Sequence, residues 1–240
     1  MLVGVTPWKF ESSPGHHRVG LHRPSAQIGQ DALAIAAATI HLHEDDLPEG
    51  LDLGPLVALD SETLGLVPRR DRLCLVQLSA GDGVCHLVRL ADGNYRAPNL
   101  CRLLADASVT KLFHFARFDV AVLRHYLGVL CRPVYCTKVA SKLTRTYTDH
   151  HGLKDLCREL LGVEISKQQQ SSDWGAAELT AEQQEYAATD VLYLHRIKAE
   201  LDRRLHRDGR VMLAEACFAF LPTRAELDLA GWDRVDIFEH

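Results

Sequence analysis

No CxxC pair occurs among the seven cysteines of this 240-residue chain (74, 85, 101, 131, 136, 157 and 217), which are odd in number and scattered. That excludes a secreted disulfide framework and a zinc ribbon, and it points to reduced thiols in a cytoplasm. No apolar run approaches the roughly 18 residues a membrane-spanning helix requires, so no membrane partner is expected. The stretch 31–38, DALAIAAA, has an Ala-x-Ala flavour, but Asp31 leads it and the residues before it are too polar and irregular for an export signal. There is no internal repeat and no Pro- or Ser-rich linker after residue 50. An excess of positive charge is missing too: the net charge of -5 argues against a protein that coats long nucleic acid.

What is present is an ordinary globular composition, 47% hydrophobic and 25% charged. A chain of this length buries about 70% of the surface its unfolded form would expose, so its core needs no covalent staple. The charge is unevenly distributed. Residues 44–62 hold seven acids and no Lys or Arg, whereas 111–158 hold nine bases and three acids. These runs read either as solvated faces or as a local cationic patch on an acidic protein, and such a patch suits a small anionic fragment better than a long duplex.

Residues 1–38 mix Pro, Gly, Ser and His without periodicity and read as a flexible N-terminal extension; its His16, His17 and His22 lack a second ligand group. Residues 39–240 read as one domain. Thr39 to His43 alternates as a first strand, and three runs follow, from Leu56, at 72–79 and at 83–90; short links such as AGDG favour antiparallel neighbours. A helix at 97–107, a strand at 110–115, a helix at 116–128 ending on Gly128 and a strand at 133–138 come next. Helices are then expected over 138–147 and 151–162, with a long one from about Thr180, where Gln183 completes a capping box. The expected class is α/β, with a mixed five- or six-stranded central sheet flanked by helices.

Asp60-Ser-Glu62 closes an otherwise apolar strand, and residues two apart on a strand share a face. Two adjacent carboxylates repel, which makes a bound cation their natural partner; a solvated strand end is the alternative. Asp119 falls just inside the helix that follows FHF, where the helix dipole favours an acid. Tyr186 and Asp190, four apart in EYAATD, share one helical face.

In LDSET, FHFARFD and EYAATD the chain resembles the DEDD superfamily of 3′-to-5′ exonucleases, in the Tyr-containing (DEDDy) branch that includes RNase D and polymerase proofreading domains. The loop SKQQQSSDW at 166–174 is similar to the segment preceding the third motif in RNase D relatives. The stretches DSETLGLVPRRDRLCLVQLS, TKVASKLTRTYTDHHGLKDLC and FLPTRAELDLAGWDRVDIF resemble a compact RNase D-like member, from about residue 39 to the C-terminus. The first 38 or so residues have no counterpart in that resemblance, nor do the helical HRDC modules of RNase D have one in this chain, which weakens a tRNA-trimming role.

The resemblance implies an RNase H-like fold and a 3′-to-5′ exoribonuclease acting on very short RNA, dinucleotides above all, and releasing nucleoside 5′-monophosphates. Action on longer RNA or DNA 3′ ends, or an inactive nucleic-acid-binding scaffold, are the alternatives. It implies two Mg2+ or Mn2+ ions per site, about 3.5 to 4 Å apart. Asp60 would bridge them, Glu62 and Asp190 complete one site, Asp119 complete the other largely through water, and Tyr186 orient the attacking water. Thr63, Leu66 and His114 are implied substrate contacts, Leu66 as an apolar wedge between bases or else a core leucine. Lys138, Ser141, Lys142 and Arg145 recur at helical spacing and are expected to offer a basic stripe to a terminal phosphate, or simply a solvated face. Asp173 and Trp174 read as loop anchors. Close relatives form closed rings of eight, for which the segment with Trp232 and Phe238 is a candidate interface or a docked tail.

Overall fold

The computed structural model describes residues 38–239 apart from 167, 170 and 171. The extension expected before residue 38, with His16, His17 and His22, lies outside the described residues. Strands β1 (Thr39–Glu44), β2 (Leu56–Thr63), β3 (Leu73–Ser79) and β4 (Val84–Arg89) come first, then α1 (Pro98–Ala105), β5 (Thr110–Phe113), α2 (Ala116–Leu127) and β6 (Val134–Cys136). Helices α3 (Thr137–Thr144), α4 (Leu153–Leu156), α5 (Ala181–Leu192), α6 (Leu194–Arg207) and α7 (Val211–Leu227) complete the order.

The six strands form one mixed sheet in the order β1-β4-β3-β2-β5-β6. The short links do make β2, β3 and β4 antiparallel neighbours. β1 runs parallel to β4, and β2, β5 and β6 run parallel. The apolar part of β2 is packed out of water, with Val57, Ala58 and Leu59 all 0% exposed, and β3 is buried along its whole length. This rigid centre carries the acidic end of β2. Helix α5 packs across β2, β3 and β4, while α2 packs against β2, β3, β5 and β6.

Three helical expectations change. The helix over 138–147 stops at Thr144, and that over 151–162 becomes the short α4 continued by a π-helical turn, Cys157–Leu161, ended by Gly162 in a left-handed conformation. The long helix from Thr180 does begin with the Thr180/Gln183 capping box, but α5 and α6 are separate helices flanking Tyr193. Propensity alone would let these helices run on; packing against the sheet decides where each ends. No helix among the described residues is long and apolar enough to cross a membrane.

Candidate active site

The pleat of β2 divides its last residues between two faces. Asp60 and Glu62 share one, where α5 supplies Asp190; one carboxylate oxygen from each of the three lies within 4.8 Å of the others. Ser61 points the other way, and its hydroxyl donates to Asp119 Oδ1 at 2.6 Å. Asp119 is 3% exposed in the first turn of α2. The register of β2 on β3 shifts between Glu62 and Thr63, a bulge that turns the strand at the site.

The electrostatics are those of a crowded set of like charges. Burial pushes the Asp60 carboxyl well above the usual carboxylate range; Asp119, Asp190 and Glu62 add to the rise, and a hydrogen bond from the Ser61 backbone opposes it. Glu62 is pushed up to about 9 by burial, then by Asp190 and Asp119. Asp119 rises to about 7 through burial, against hydrogen bonds that include the one from the Ser61 hydroxyl. Among the described residues, no lysine or arginine is among the charges acting on Asp60, Glu62 or Asp119. Converging hard oxygen donors that raise one another's pKa fit a divalent cation, whose charge would offset their mutual repulsion.

Tyr186 stands one turn before Asp190 on α5. Burial, the charges of Asp190, Glu62 and Asp60, and a hydrogen bond with Asp190 all hold its phenol above the ordinary value. Its ring tilts against Trp174, with centroids 6.0 Å apart. Trp174 is 2% exposed and so packs as expected, and Asp173 Oδ1 accepts from the Gly175 backbone at 3.0 Å, a loop anchor.

Leu66 is 84% exposed, which removes the reading of it as a core leucine. It lines a groove with Val67, Phe115, Phe118 and Leu229. Thr63 donates its hydroxyl to the Gly65 carbonyl, closing the turn that leads to Leu66. His114 Nδ1 lies 2.9 Å from Thr137 Oγ1, which ties β5 to the start of α3.

The expected basic stripe is corrected at two positions. Arg145 is 0% exposed, its guanidinium bonded to both oxygens of Glu159 and to the His150 carbonyl. Ser141 is also buried, accepting from Arg145 at 2.9 Å and paired with His151 Nδ1 at 2.8 Å. A buried guanidinium must be paired, so this spacing serves the packing of α3 and leaves Lys138 and Lys142 as the outward cations. The wider basic surplus is spent in the same way. Arg117 binds Asp228, Arg124 binds Glu226 and Arg158 binds Asp155, while Lys111 is buried on backbone carbonyls.

Two participants have no counterpart in the sequence reading. Ser61 stands in the sequence as the spacer between two acids, and its position opposite their face is what directs its hydroxyl to Asp119. Phe115, between β5 and α2, has φ 121° and ψ 46°, a region side-chain-bearing residues rarely occupy, and its ring is 47% exposed. Strain of this kind persists where the surroundings enforce it and clusters at functional sites. Lys138 Nζ lies 4.1 Å from the centre of that ring.

A family model described as 3'-5' exonuclease matches residues 39–206. Ribonuclease D of Gluconacetobacter diazotrophicus is 37% identical over 163 residues, which are 68% of this chain and 41% of that protein. The chain thus spans about two fifths of the length of that curated relative. Among solved structures, Brucella melitensis NrnC (nanoRNase C) bound to pGG is 60% identical with a TM-score of 0.82, covering 85% of this chain and 99% of that one. The same protein with bound Mg2+ is 60% identical with a TM-score of 0.81, covering 84% of this chain and 99% of that one. It is the compact RNase D-like protein that the quoted stretches resemble.

Proposed function

The chain belongs to the 3'-5' exonuclease family, and on that premise we propose that it is a divalent-metal-dependent 3′-to-5′ exoribonuclease that hydrolyses very short RNA, dinucleotides above all, to nucleoside 5′-monophosphates. The observation that carries this reading is the cluster of Asp60 and Glu62 at the end of β2 with Asp190 from α5, donor oxygens within 4.8 Å of one another. The likeness to NrnC bound to pGG, which extends over 99% of that chain, supports the choice of a short substrate.

Asp60, Glu62 and Asp190 would hold a divalent ion, and Asp119, steadied by Ser61, would serve a second. Such ions lower the pKa of bound water and neutralise charge that develops on the phosphate. Tyr186 stays protonated at neutral pH, so its hydroxyl orients the attacking water and does not act as a base. Lys138 and Lys142 face the terminal phosphate. Leu66 wedges between the bases, and the exposed face of Phe115 receives one of them. The C-terminal segment, where Trp232 is 46% and Phe238 64% exposed, is the contact between subunits of a ring of eight. A single-subunit mass for the purified protein in light scattering would contradict the ring.

Base stacking on an aromatic ring is worth about 1–3 kcal/mol per base. Phe115→Ala is therefore expected to raise KM for a dinucleotide by about ten- to a hundredfold, with kcat altered less than about threefold. Phe115→Tyr retains the wild-type KM. An unchanged KM in the alanine variant would remove the stacking role.

The reaction itself is tested by product analysis. With Mg2+ or Mn2+, a dinucleotide with a 5′-phosphate should yield only nucleoside 5′-monophosphates, and excess chelator should stop the reaction until metal is restored. Hydrolysis undiminished by chelator, or products carrying a 3′-phosphate, would overturn the proposal.

A further inference from the structure

Every residue of β3 is buried, and its sequence Leu-Cys-Leu-Val-Gln-Leu-Ser places two polar side chains, Gln77 and Ser79, among apolar ones. Ser79 is satisfied: its hydroxyl donates to the Val84 carbonyl at 2.7 Å and accepts from the Gly81 backbone at 3.2 Å. Gln77 is not. It is 0% exposed, and neither its Oε1 nor its Nε2 has a hydrogen-bond partner. A buried amide with both ends unmet is costly, and a leucine or methionine of similar volume would avoid the cost. A glutamine kept under those terms points to a partner that arrives with something else.

The register identifies where that partner stands. Gln77 lies directly opposite Asp60 in the antiparallel pair of β2 and β3. Directly opposed residues project from the same face with Cβ atoms about 4.5–5.5 Å apart. The amide therefore shares the face of Asp60 and Glu62, across which α5 brings Tyr186 and Asp190. A carboxylate that ligates a metal needs a second donor to fix the orientation of its remaining lone pairs, and the group that supplies one is itself buried and directional.

We propose that Gln77 is a positioning residue of the metal centre, whose side-chain Nε2 donates to the Asp60 carboxylate once a divalent ion is held by Asp60, Glu62 and Asp190. The inference rests on the metal-dependent reading given above. It adds a residue on a neighbouring strand whose amide makes no hydrogen bond to the ligand cluster in the metal-free protein.

Two measurements on Gln77→Met and Gln77→Leu, read together, test it. Isothermal titration with Mn2+ should show a dissociation constant about ten- to a hundredfold above that of the wild type, the usual cost of losing an outer partner of a ligand. The melting temperature in chelator should equal or exceed that of the wild type, because the substitution removes an unmet amide. Unchanged Mn2+ affinity in either folded variant would overturn the inference. So would a lower metal-free melting temperature or failure to fold, since the amide would then already have a partner. A wild-type protein that binds no Mn2+ would take the metal-dependent reading down with it, whereas wild-type binding with unchanged variants would remove Gln77 alone.

Discussion

Asp60→Asn is expected to lower dinucleotide hydrolysis by about a thousandfold or more and, in chelator, to raise the melting temperature. Both effects have one source. Asp60 is buried among Asp119, Asp190 and Glu62, each of which opposes its ionisation. In the metal-free protein the substitution removes one member of a mutually repelling set, and each kcal/mol relieved is worth about 2–4 °C in a domain of this size. If Asp60 holds the metal as proposed, its loss would forfeit several kcal/mol of charge stabilisation in the transition state, and each 1.36 kcal/mol is about tenfold in rate. Scanning calorimetry in chelator and steady-state kinetics in Mn2+ read the two signs separately. A variant that melts lower and keeps more than about a tenth of its activity would show that Asp60 is an ordinary strand residue.

Tyr186→Phe is expected to lower kcat by about a hundredfold, the range for one well-placed hydroxyl at a reacting centre, with KM changed little. The ring packs near Trp174, and phenylalanine keeps that packing. The pH profile separates the two roles a tyrosine can have. Because burial and the neighbouring carboxylates hold the phenol above its ordinary value, it does not deprotonate across the working range. The wild-type and Tyr186→Phe profiles should therefore have the same shape at different heights. Loss of an ascending limb in the variant would show that the phenol is a titrating base.

The residues of the candidate site were legible because each belongs to a local pattern: two acids at strand spacing, an acid in the first turn of a helix, a phenol and an acid four apart. Residues whose surroundings come from afar were not. Arg117 and Arg124 count toward the cationic surplus over 111–158 in the sequence, but partners 111 and 102 positions away take them up. Arg145 and Ser141 have helical spacing, but which helical face meets the protein is decided by Glu159 and His151, on segments that fold back over α3. The parallel pairing of β1 with β4 places a first strand beside a fourth, a long-range choice that alternation within Thr39–Glu44 does not express. The backbone strain at Phe115 is a property of the junction between β5 and α2, not of residue type. Gln77 did leave a trace, one amide in an apolar strand, whose meaning depends on the register that sets it opposite Asp60.

The distribution of charge bears on the proposed substrate size through pairing more than through the raw surplus. With Arg117, Arg124, Arg145 and Arg158 paired internally, the cationic patch offers Lys138, whose ammonium lies over Phe115 at the groove, and Lys142 one turn further along α3, which suits one terminal phosphate better than a long backbone. The most direct measurement is therefore the turnover of labelled RNAs of two, five and twenty nucleotides, with a DNA duplex alongside, by the same purified protein in Mg2+. The expected result is rapid cleavage of the dinucleotide and a steep fall with length. Equal turnover on all lengths would contradict a dinucleotide enzyme and leave a general 3′-to-5′ exonuclease in its place.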